Sequence, residues 1–120
     1  VDDDEKLLPF GEATPGATGL ELLLSLALKW AEECVAPEQQ RVSRALAKIT
    51  TDAAGVAGLA AGRLTVGCVA DICLFDPAVR WTVEAKELAS QGKHTPFLGY
   101  ELCGRVKTTI VAGHIAFERA

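Results

Sequence analysis

The polar and apolar positions of this chain follow two different periods, one before Gly62 and one after it. From Thr18 onward, Leu20, Leu23, Leu24, Ala27, Leu28 and Ala31 recur at helical spacing on one face. Lys29, Glu32 and Glu33 point away from that face. Thr18-x-x-Glu21 has the form of a capping box, in which a hydroxyl and a carboxylate close the first turn of a helix. The helix is expected to end near Cys34–Ala36, ahead of Pro37. Pro37 and Glu38 suit the first turn of a second helix, whose apolar set is Val42, Ala45, Leu46 and Ile49. Thr51 or Asp52 then caps a short third helix that Gly58 terminates.

After Gly62 the period shortens. Leu64 and Val66 lead to a turn at Gly67, and an apolar run from Val69 to Phe75 reads as a buried strand closed by Asp76-Pro77. Trp81 and Val83 alternate with Arg80 and Thr82, as on a half-buried edge strand, and a weak helix is expected over Glu84–Ser90. Val106, Thr108 and Ile110 alternate with Lys107, Thr109 and Val111. Ala112-Gly113 makes a two-residue turn, and His114–Phe117 returns as the partner strand. Residues 1–17, broken by Pro9, Gly11, Pro15 and Gly16, carry no period and read as loop.

Length and charge narrow the picture. The 120 residues suffice for one modest domain, against about 250 for a complete (β/α)8 barrel. The chain starts at Val1 and has no Met, so a fragment is expected. The net charge is −4, with acid concentrated at Asp2-Asp3-Asp4-Glu5, read as a solvated face. That balance disfavours a nucleic-acid partner, which needs a basic face. No signal peptide is expected, and the apolar stretch Leu22–Leu28, interrupted by Ser25, is too short to span a bilayer. Cys34, Cys68, Cys73 and Cys103 form no Cys-x-x-Cys pair and are expected to be small buried hydrophobes in a reducing cytoplasm. The only His residues, His94 and His114, lie twenty positions apart and are expected on the surface or in packing, not as metal ligands. No catalytic residue and no metal ligand is therefore assigned to these 120 residues.

Gly62-x-Leu64-x-x-Gly67-x-x-Ala70-Asp71-Ile72-x-Leu74-x-Asp76 resembles the small β-domain signature of the amidohydrolase superfamily, and the closing hairpin resembles that superfamily's last strand pair. The resemblance implies an α/β parent: a C-terminal piece of a (β/α)8 barrel, with two or three helices, followed by a small β-sheet domain. It divides the chain into a substrate-side loop (1–17), last barrel helices (18–60) and a C-terminal β-domain (61–120). Cut from a barrel, the leucine face of residues 20–31 would need cover from the missing barrel or from another chain.

Three further stretches narrow the family. Leu8-Pro9-Phe10-Gly11-Glu12-Ala13-x-Pro15-Gly16-Ala17-Thr18-Gly19-Leu20-Glu21 resembles the loop that follows the catalytic aspartate in dihydroorotases. Lys93-His94-Thr95-Pro96-Phe97-x-Gly99 resembles their Lys-Asn-Thr-Pro-Phe segment, with His94 where Asn is usual, and Ile49-Thr50-Thr51-Asp52-Ala53-Ala54 resembles their short helix of Asn-Pro-Ala type. Such enzymes interconvert dihydroorotate and N-carbamoyl-L-aspartate in pyrimidine biosynthesis, using one or two zinc ions and an Asp that shuttles the proton. The resemblance implies that zinc is held elsewhere in the parent, and that Pro15 and Gly16 offer backbone groups to substrate. Read without the family, the same pair is an ordinary turn before a helix.

One position departs from the pattern. Counting back from Pro15-Gly16 places Val1 at the family's substrate-binding His, and valine neither donates a hydrogen bond nor carries charge. The alternative is a non-catalytic dihydroorotase-like subunit that scaffolds aspartate transcarbamoylase. Another alternative is a different cyclic amidohydrolase of hydantoinase or allantoinase type. A homo-oligomer is expected under the main reading.

Overall fold

The computed structural model describes residues 4–119; the expectations placed on Val1, Asp2 and Asp3 lie outside them. Helices come first and strands last. Helix α1 spans Leu23–Cys34, α2 Arg41–Ile49 and α3 Thr51–Ala57. Strands β1 (Ile72–Thr82), β2 (Glu101–Val111) and β3 (His114–Glu118) form one antiparallel sheet in the order β1-β2-β3.

The two later helices follow their local signals. A 3-10 turn over Glu38–Gln40, capped by Pro37, leads into α2. Helix α3 closes on Gly58 at φ +67°. Its N-cap is Thr50, one residue before the expected caps, and the Thr50 hydroxyl donates to the Leu46 carbonyl at 2.6 Å instead of capping. Asp52 pairs with Lys48 one turn back, at 3.1 Å.

Helix α1 differs from expectation at its start. The capping box does not form: Thr18 Oγ1 donates to the Gly92 carbonyl at 2.9 Å, and the Glu21 carboxylate accepts from the backbone of Ala89 and Ser90. A 3-10 turn over Leu20–Leu22 precedes the helix. Three residues per turn instead of 3.6 shifts the phase of the apolar face. The buried stripe is therefore Leu22, Ser25, Leu28 and Ala31, while Leu20 is 91% exposed and Leu23 48%.

That stripe packs on β2 and on the segment before it. Leu22 joins Val83, Leu88 and Leu102 in one cluster, with Leu26, Trp81 and Phe97 around it. Leu28 and Ala31 join Ala45 of α2 in a second, flanked by Leu24, Ala27, Val35 and Phe75. The helical and strand segments thus share their core.

The strands also correct the sequence reading. Strand β1 begins at Ile72, not Val69, because the residues before it serve the far hairpin. Ala70 O accepts from Gly113 N at 3.0 Å, and Asp71 Oδ1 accepts from Ala112 N at 2.8 Å. Asp76-Pro77 does not close the strand. Proline has no N–H for the ladder, so the pairing bulges between Asp76 and Arg80, and Asp76 Oδ1 takes the Ala78 N–H at 3.0 Å. The strand then resumes, Trp81 opposite Leu102, which unites two segments read separately. Nor is it buried: Leu74 is 51% exposed and Cys73 lies on the same open stretch. The expected helix over Glu84–Ser90 shrinks to a 3-10 turn, Ala85–Glu87. Leu88 leaves it in extended conformation to enter the core, and Glu21 takes the N–H groups of Ala89 and Ser90 that a helix would have used.

The β2–β3 hairpin matches its pattern. Ala112 and Gly113 both adopt positive φ, +49° and +82°, as a two-residue turn of this hand requires.

Candidate functional site

Pro15 and Gly16 lie exposed in the loop ahead of α1, with Gly16 at φ +104°. Lys6 Nζ donates to the carbonyl of Thr14 and, at 2.6 Å, to that of Gly16. On the far side, Thr18 N donates to the His94 carbonyl at 2.8 Å. The loop is therefore held against Gly92 and His94, so two stretches some seventy positions apart meet through Thr18.

Glu21 ties the same junction. Its carboxylate accepts from Ala89 N (2.8 Å), Ser90 N (3.0 Å) and Ser90 Oγ (2.7 Å). Burial opposes its charge, but these hydrogen bonds and the nearby Lys93 ammonium outweigh that and hold its carboxyl below the usual carboxylate range. Lys93 Nζ in turn donates to the Leu88 carbonyl at 2.6 Å. Thr95, buried behind this loop, receives the Phe97 N–H on its hydroxyl at 3.4 Å.

The two histidines stand on different elements. His94 is an exposed loop residue engaged through its backbone, and His114 is the exposed first residue of β3, paired with Val111. Among the described residues no group of three or more His, Cys, Asp or Glu side chains is placed to hold a metal ion.

The cysteines are not the buried hydrophobes expected. Cys34 ends α1, Cys68 lies in the turn after Gly67 and Cys73 on β1, all exposed, while Cys103 is half-buried. An apolar residue type does not announce which side of a strand or turn it will occupy. The Thr65 hydroxyl, 3.1 Å from Cys68 Sγ, outweighs desolvation and, with Arg63, holds the Cys68 thiol below its ordinary pKa. Burial pushes Cys73 and Cys103 up.

A groove of about 310 Å³ opens between the start of α1 and β2, with Glu21 and Ala89 of this junction in its lining. Its charged residues are Glu21, Glu87, Arg105 and Arg119, with Arg105 stacked 4.5 Å from the Trp81 ring centre and paired with Glu87. Pro15 and Gly16 do not line it.

Sequence reasoning missed Lys6 and misassigned Glu21. Both act on groups that local spacing does not reveal; the only sequence cue for Lys6 is a lone cation ahead of a Pro-Gly turn.

Known proteins resemble this chain. The chain is 42% identical to the dihydroorotase of Geobacter metallireducens over 116 residues, 97% of this chain and 26% of that protein. It is 38% identical over 112 residues to a dihydroorotase-like protein of Pseudomonas putida, 93% of this chain and 25% of that protein. Among solved structures, the D-hydantoinase (dihydropyrimidinase) of Thermus sp. superposes with a TM-score of 0.80 at 27% identity, over 98% of this chain and 26% of that one. The chain thus spans about a quarter of the length of the relatives it matches. Its helices-then-sheet order is the order of a piece of that larger fold. The family model for amidohydrolases matches residues 9–117, from the loop before α1 through the last strand, and on that match the chain belongs to the amidohydrolase family.

Proposed function

We propose that this chain is the C-terminal part of a cytoplasmic dihydroorotase, a zinc-dependent hydrolase that interconverts dihydroorotate and N-carbamoyl-L-aspartate in pyrimidine biosynthesis. The observation that carries the reading is the meeting of the Pro15–Gly16 loop with residues 92–95 through Thr18. The 42% identity to a dihydroorotase along nearly the whole chain supports it. No helix among the described residues is long and apolar enough to cross a membrane.

In this reading the chain shapes one wall of a reaction centre. Gly16 brings backbone close to a cyclic amide, since no Cβ stands in the way. The described residues do not fit a hydrolytic zinc site, which needs three or more convergent ligands. The metal belongs to the remainder of the barrel.

The test is an assay of the full-length protein for dihydroorotate hydrolysis and for the reverse ring closure, alongside hydantoin and allantoin. Turnover of dihydroorotate with loss on chelation is the expected outcome. Turnover of hydantoin or allantoin alone would move the protein to another cyclic amidohydrolase class.

A second reading is kept for one observation, the similarity to a protein described only as dihydroorotase-like. In it the full-length chain is a non-catalytic partner of aspartate transcarbamoylase. An inactive protein that co-assembles with that enzyme in sedimentation would favour it, whereas an active homo-oligomer favours the first.

A further inference from the structure

The loop that carries Pro15 and Gly16 is clasped from upstream. The Lys6 ammonium donates to the carbonyls on both sides of Pro15-Gly16, those of Thr14 and Gly16. Its neighbour Glu5 accepts from the Thr14 hydroxyl at 2.5 Å. A cation between two carbonyls orients both peptide dipoles, and hydrogen bonds from an ionised donor are among the stronger ones.

The consequence falls on the next peptide. In a trans peptide the C=O and the following N–H point to opposite sides. With the Gly16 carbonyl turned toward Lys6, the Ala17 N–H is turned away from it. Among the described residues no hydrogen bond takes up that N–H. Gly16 reaches this conformation at φ +104°, where a side chain would be strained.

Resting on the dihydroorotase reading, we propose that Lys6 is a positioning residue: it orients the loop so that the Ala17 N–H is presented to a carboxylate or carbonyl oxygen of the cyclic amide substrate. Lys6 does not itself touch substrate in this arrangement. It acts by fixing a donor that would otherwise turn with its peptide.

The experiment is steady-state kinetics on the full-length protein with Lys6→Met and Lys6→Arg. Lys6→Met is expected to raise KM for dihydroorotate about tenfold with kcat within about twofold, the size expected for misplacing one binding group. Lys6→Arg, which keeps two donors, is expected to restore most of the affinity. A merely structural lesion would lower the folded fraction and hence kcat, leaving KM in place. Unchanged KM in Lys6→Met, or a loss confined to kcat, would overturn the proposal. Should Lys6→Met not fold, Lys6→Gln, with its neutral donor, is expected to show an intermediate KM, and a wild-type KM there overturns it equally. A wild-type protein that does not turn over dihydroorotate sinks the functional reading and this proposal together; an active wild type with an indifferent Lys6 sinks this proposal alone.

Discussion

Ser25 Oγ donates to the Gly104 carbonyl at 2.6 Å, a bond between α1 and β2 buried across seventy-nine positions of sequence. The same carbonyl accepts from Trp81 Nε1 at 3.1 Å, so one oxygen pins a helix and two strands. Ser25 is 3% exposed, a polar break in an apolar stripe made tolerable by this partner. Ser25→Ala is expected to cost about 1 kcal/mol, because Gly104 O keeps its bond to Trp81. Ser25→Leu is expected to cost more, about 2 kcal/mol, by overpacking the helix against β2. Urea unfolding of the two variants checks both the size and the order.

Glycines separate a steric effect from a conformational one. At Gly62, φ +76°, a Cβ would stand 2.7 Å from the Thr50 carbonyl carbon and 2.8 Å from its oxygen. At Gly67, φ +88°, a Cβ would meet nothing within 4 Å. Gly67→Ala is therefore expected to cost about 1 kcal/mol, and Gly62→Ala at least about 2 kcal/mol. Thermal melts of equal or reversed loss would contradict the close approach of the connection to the α2–α3 junction.

Glu21 predicts a pH dependence. Its folded pKa lies below the ordinary carboxylate value. The stabilisation it gives is thus complete above about pH 5 and is lost as pH falls from the ordinary value, about 4.3, through the folded one. Its side chain faces solvent, so Glu21→Gln is expected to cost only about 1 kcal/mol near neutrality. The gap between wild type and variant should close toward pH 3. A gap that stays constant down to that pH in denaturant titrations would refute the assignment.

Exposed apolar side chains predict association. Leu20 (91%), Val56 (92%), Leu64 (75%) and Val66 (109%) stand open on the 120-residue chain. Prepared alone, the chain is expected to self-associate, and Leu64→Lys with Val66→Lys to reduce that. Sedimentation velocity showing a monomer at all concentrations would count against the need for cover.

What the sequence made legible was whatever a few neighbouring residues decide. Pro37, Gly58 and Ala112-Gly113 mark their boundaries through backbone constraints that act locally, and the structure places those boundaries within a residue. The start of α1, the span 84–90 and the extent of β1 were misread for a common reason. Thr18, Glu21, Leu88 and Asp71 each satisfy a group far along the chain, and that competes with the local motif. The candidate loop was legible through its order of Pro, Gly and Thr. The Lys6 clasp was not, since a lysine in an aperiodic segment carries no signal of the carbonyls it will find.

The bond from Ser25 to Gly104 also sets an order of events during synthesis. Seventy-nine residues separate them, so at 5–20 residues per second α1 leaves the ribosome roughly 4–16 s before the strand that shields it. Nascent chains arrested before Glu101 would lack the cover that Leu102 gives Leu22 and Gly104 gives Leu28, which makes that interval the point at which a chaperone or an earlier-made part of the protein has something to hold.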